Sequence, residues 1–176
     1  MKKALLLLAG ALSLGSLNAQ TTEELTTKFR DNWSIGLNGG IVTPLSHSAF
    51  FKNARATVGI DLNKQLSPIY GLTFENMWSI NTFESSAAFD ASNLMLLHRI
   101  NLNNVFCRYK GKPSVFEVEA LAGFGWLHVN DAYYGEDGDK DGNWLSSKVG
   151  LNLNFNLGEK KAWTIAVKPA ILWNVT

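Results

Sequence analysis

The chain has 176 residues, enough for one domain. Its formal net charge of +1 gives no electrostatic case for nucleic-acid binding, and its single cysteine, Cys107, excludes an intramolecular disulfide. Charged residues make up 18%, less than a soluble domain usually carries, while glycine and asparagine are abundant.

The first element has the layout of a secretory signal peptide. Met1-Lys2-Lys3 is basic, Ala4 to Leu14 is apolar, and Leu17-Asn18-Ala19 before Gln20 is a cleavage motif, so residues 1–19 are expected to be removed on export. The apolar run is too short for a spanning helix, and no cysteine follows the cleavage site to carry a lipid anchor. Residues 20–32 read as a polar periplasmic lead-in.

From residue 33 onward a period-2 alternation keeps restarting. Trp33, Ile35, Leu37 and Ile41 are apolar, with Ser34, Gly36, Asn38 and Gly40 between them. The pattern returns in residues 54–62, 70–80, 94–106, 116–126, 145–157 and 163–173. Period 2 predicts seven strands with chemically different faces. Residues 63–68, 108–113 and 158–161 read as short turns, and 42–53, 81–92 and 130–143 as longer loops. Short turns at one end and long loops at the other are the layout of outer-membrane barrels.

The alternation does not say which face points outward. A soluble lipid-binding barrel would keep the apolar face inside, around a greasy ligand; a membrane barrel would turn it toward lipid. Three features favour lipid. The polar face is built from Gly, Asn, Thr and Ser rather than Lys and Glu. The aromatics gather at strand ends, with Trp33, Tyr70, Phe106, Phe116, Phe155 and Trp163 at one level and Trp78, Trp126 and Trp173 at the other, as two girdles would. The strands also match the ~9–11 residues that cross a bilayer at a tilt. The expected fold is all-β, an antiparallel up-and-down transmembrane β-barrel of the eight-stranded type, with about seven strands in residues 33–176.

The polar face carries nearly balanced charge. Arg55, Arg99, Lys148 and Lys168 are basic; Asp61, Glu75, Glu117 and Glu119 are acidic. In a small barrel the side chains just fill the interior, and buried charges must be paired. The expected lumen is a network of cross-strand ion pairs that stops solute flow.

The run Asp31-Asn32-Trp33-Ser34-Ile35-Gly36-Leu37-Asn38-Gly39-Gly40 resembles the first strand of OmpA-like N-terminal barrels of Gram-negative outer membranes. Phe116-Glu117-Val118-Glu119-Ala120-Leu121-Ala122-Gly123-Phe124-Gly125-Trp126 resembles their fifth. The resemblance implies an eight-stranded barrel in the cell outer membrane, often anchoring a C-terminal peptidoglycan-binding domain. Two departures stand out. Seven strands are counted, and the chain stops at Asn174-Val175-Thr176 with no wall-binding segment. The expectation is a barrel lacking its last strand, as in a truncated product, with its first and seventh strands left as unpaired edges.

Hidden chemistry is sparse. Asp137, Asp139 and Asp141 match the start of a calcium loop, but the closing Glu falls at Lys148, so the calcium pattern is incomplete. Of His47, His98 and His128, only His128, near Asp131 in sequence, is a candidate general base for a lipid-modifying barrel enzyme, and no serine stands at an evident nucleophile position beside it. Cys107 has no CxxC or Cys/His partner. No catalysis and no cofactor are expected. The leading expectation is a structural barrel displaying loops to an extracellular ligand, with outer-membrane lipid as partner and peptidoglycan only through a further domain. A small porin or solute channel is the alternative, followed by the barrel enzyme and the soluble lipid binder.

Overall fold

Alternating side chains need two environments, and a curled sheet supplies them. The computed structural model describes residues 7–17, 29–44, 54–80, 88–133, 140–159 and 161–175. They form β1 (Leu7–Leu17), β2 (Trp33–Pro44), β3 (Arg55–Gln65), β4 (Tyr70–Ile80), β5 (Phe89–Asn101), α1 (Leu102–Cys107), β6 (Phe116–Tyr133), β7 (Lys140–Leu157) and β8 (Trp163–Asn174). Each strand pairs antiparallel with the next, and β1 also pairs with β8, so the up-and-down sheet closes into a barrel. The links 66–69, 102–115 and 158–162 lie at one end, called here the turn end; the links after β2, β4 and β6 lie at the loop end.

The strand count differs from expectation at one place. Leu7–Leu17, with the composition of an export signal, lies between β2 and β8. The expected unpaired edges, β2 and β8, therefore both have a partner. The physical reason is that edge strands offer rows of free N–H and C=O groups. The segment Leu7–Leu17 carries no charge and no proline, so its backbone is free to answer both rows.

Other boundaries also move. The strand expected over 94–106 ends at Asn101. There the Asn101 side chain accepts from the Asn104 backbone N–H at 3.0 Å and caps α1, so Leu102 and Phe106 are helical. The loop expected over 130–143 is mostly strand: β6 and β7 each have 18 residues and pair as far as Tyr133 with Lys140, past a bulge after Val129. β3 runs on to Gln65, and β5 begins at Phe89.

The burial pattern is inside out. Leu37 and Ile35 are 58% and 57% exposed, whereas Asp61 and Glu75 are 1% and 3%. Apolar side chains coat the outer wall, and the buried positions are dominated by Asn, Thr, Ser and charged residues. A small apolar cluster, Met95, Leu97, Leu121 and Leu172, fills part of the interior between them. Close packing of β5 on β6 explains one glycine: a Cβ on Gly123 would stand 2.0 Å from the Leu96 carbonyl oxygen.

Candidate functional site

Closing the sheet brings the inward residues of distant strands together. Asp61 and Glu75 stand directly opposite each other on β3 and β4. Like charges in that register repel, and both are sealed from water. Two lysines from the far wall answer them. Lys148 of β7 places Nζ 2.5 Å from Glu75 Oε1. Lys168 of β8 pairs with Asp61 and donates to Asn38 Oδ1 at 2.9 Å. Asn38 in turn donates to Asp61 Oδ1 at 2.5 Å. One carboxylate each from β3 and β4 thus faces one lysine each from β8 and β7, with these two struts crossing the lumen.

Nearer the turn end, Arg99 Nη1 lies 3.1 Å from both carboxylate oxygens of Glu119. Its Nη2 reaches Gln65 Oε1 at 3.4 Å, and Asn152 donates to Glu119 Oε2 at 3.2 Å. Gly71 makes room for this guanidinium, since a Cβ there would come within 2.9 Å of Nη2. Glu117 is held by Asn156 Nδ2 at 3.1 Å and by the Ser114 backbone N–H at 3.0 Å. Arg55 pairs with Asp90, which the sequence pattern puts in the 81–92 loop. A bulge explains this: Ser79 pairs with Ala91 but Ile80 pairs with Phe89, so Asp90 is the extra residue and breaks the alternation of β5. Of the eight charged residues expected in the lumen, six form three mutual pairs, Arg55 finds Asp90, and Glu117 is held by hydrogen bonds.

Lys64 was expected in a turn and is instead a buried β3 residue at the turn end. Its Nζ donates to the carbonyls of Phe29, at 2.8 Å, and Asp31, and lies 5.1 Å from the Trp33 ring centroid. It fastens the last residues of the lead-in against the barrel mouth.

The girdle residues fall at the two ends. Trp33, Tyr70, Phe116, Phe155 and Trp163 lie at the turn end, where the Phe116 and Phe155 rings are 5.1 Å apart. Trp78, Trp126 and Trp173 lie toward the loop end, where Trp78 meets Phe89. His98 is on the outer face, with Nδ1 2.5 Å from the Tyr70 hydroxyl. His128 is held by Asn143 Oδ1 at 2.9 Å and Asn130 Oδ1 at 3.1 Å, and Nε2 is 3.8 Å from Asp141. The Asp131 side chain, His47, Asp137 and Asp139 lie outside the described residues; Asp141 is exposed on β7. Among the described residues no group of three or more His, Cys, Asp or Glu could hold a metal ion.

No protein-family model, no curated protein and no solved structure matches the chain.

Proposed function

We propose that the protein is a structural barrel of a Gram-negative outer membrane, of the OmpA-like type. It anchors in lipid, turns its loop end outward to display a recognition surface, passes no solute and performs no catalysis. The observation that carries this reading is the inverted burial. Trp126 is 60% and Phe124 55% exposed on the outer wall, while Asp61, Glu75, Glu119 and Lys148 are buried within. An apolar coat of this extent in water would be a severe aggregation hazard, whereas lipid removes the conflict.

The girdle spacing supports the same reading. Phe116 to Trp126 on β6, and Trp163 to Trp173 on β8, are each about ten residue steps of ~3.4 Å. At a strand tilt of ~40° this is about 26 Å, close to the ~25 Å apolar band of such barrels. The crossing struts and the Met95, Leu97, Leu121 and Leu172 cluster support a plugged lumen over a pore. A soluble lipid binder would want that interior apolar throughout.

The test is fractionation and conductance of the full chain expressed in a Gram-negative host. The protein is expected in the outer-membrane fraction after alkaline carbonate washing, with no unitary steps in planar bilayers. Release into the soluble periplasmic fraction would overturn the membrane reading, and steady conductance would overturn the plug.

A further inference from the structure

The link between β5 and β6 carries a surface that barrel closure does not explain. α1 has six residues and none of them is buried. Phe106 is 79% exposed, and Val115, just before β6, is 62% exposed. Between them Arg108, Lys110 and Lys112 are exposed too, and residues 102–116 include no acid. The Arg108 backbone takes φ 59, which breaks the helix and throws the cationic stretch off its axis.

This element is held in place rather than trailing. Asn103 donates to the Phe116 carbonyl at 3.0 Å and accepts from the Val118 N–H at 2.7 Å. Asn104 donates to the Pro68 carbonyl at 2.7 Å on the neighbouring turn. Anchoring holds the start of α1 just beyond Tyr70 and Phe116, the ring level of the turn end, and the link presents a bare phenyl ring and three cations there. A link that only reversed the chain would need neither. Apolar side chains beside long cationic ones are the chemistry of a bilayer boundary, with the ring at the acyl edge and the cations among phosphates.

We infer that the α1 turn docks on anionic phospholipid headgroups of the leaflet bordering the turn end, with Arg108, Lys110 and Lys112 reading phosphate charge and Phe106 seated beneath it. This rests on the membrane-barrel reading. Each cation contributes roughly fivefold in preference for an anionic over a neutral surface.

Cys107, the one cysteine and an exposed one, offers a native labelling point within the element. The full chain carrying an environment-sensitive NBD dye on Cys107 is reconstituted in phosphatidylcholine vesicles with rising phosphatidylglycerol. Insertion is scored separately by carbonate resistance. The dye emission is expected to shift to the blue as phosphatidylglycerol rises, to revert at high salt, and to require several-fold more phosphatidylglycerol in Arg108→Gln/Lys110→Gln/Lys112→Gln. Phe106→Ser should weaken the shift at every composition. All four changes are at exposed sites, so the barrel still forms. Insertion with a dye signal that ignores phosphatidylglycerol would overturn the inference and leave the barrel standing. A response to inorganic phosphate added to phosphatidylcholine vesicles would overturn it in favour of a soluble anion. Failure to insert into any vesicle would overturn the barrel reading and this inference together.

Discussion

Lys148 and Glu75 show what a single buried charge does in this molecule. Each is buried and satisfied chiefly by the other, so removing one leaves the second stranded in a low-dielectric interior. Lys148→Ala is expected to cost about 3–5 kcal/mol. Glu75→Gln/Lys148→Gln removes both charges together and is expected to recover most of that loss. Urea unfolding in detergent micelles, followed by tryptophan fluorescence, measures both, and a double variant as unstable as the single would contradict the pairing. At this scale most of the lumen was legible, because a charge in phase with glycine and asparagine on a strand has one place to go. Asp90 was not legible, since the bulge at Ser79 and Ile80 puts it out of phase with Arg99 and Asn101. The apolar cluster was missed for a related reason. Met95 and Leu97 interleave with Leu94 and Leu96 in the run Leu94-Met95-Leu96-Leu97, so it has no alternation to read.

At the scale of elements, strands were legible where the alternation was clean, and ends were not. The β6–β7 hairpin reads as loop from Asn130 onward because Asn, Asp and Gly are turn residues, yet the backbone goes on pairing to Tyr133 and Lys140. α1 is too short to show a helical period, and its one signal is the Asn101 cap. Asn101→Ala is expected to cost about 1 kcal/mol and to loosen α1 while leaving β5 paired with β6. Hydrogen exchange should show faster exchange at Asn104 and little change at Leu97. Gly123→Ala is a harsher change. Its Cβ would press on the Leu96 carbonyl, which belongs to the sheet and has nowhere to move. A loss of about 1–3 kcal/mol, typical of overpacking, is expected in the same urea titration. Gly111→Ala would meet no neighbour and pay only for its φ of +81, about 1 kcal/mol.

At the scale of the whole molecule, the proposed plug has two parts, struts of charge and a separate apolar cluster. Glu75→Gln/Lys148→Gln is therefore expected to stay silent in planar bilayers. Adding Leu97→Ala and Leu121→Ala should produce conductance steps; steps from the charge variant alone would show that the ion pairs are the whole plug. The closing strand is a further matter at this scale. Processing after Ala19 would remove β1 and expose the edges of β2 and β8. Ala19→Arg would spoil the expected cleavage motif, and this variant is expected to retain β1 and to melt at a higher temperature than a chain cut after Ala19. Equal melting temperatures would mean that β1 adds nothing to the wall.

Lys168 bears on how such a wall comes to exist. It reaches from β8 to Asn38 on β2 and Asp61 on β3, passing beneath the strand that fills the gap. The two margins are thus tied from within by Lys168, Asn38 and Asp61. That tie predicts an order of assembly: the seven strands from β2 onward are expected to coil and latch first, with the seam zipped last by a strand slid in sideways. Pulsed hydrogen exchange would see that order as amides of β3 to β7 protected ahead of those along the seam.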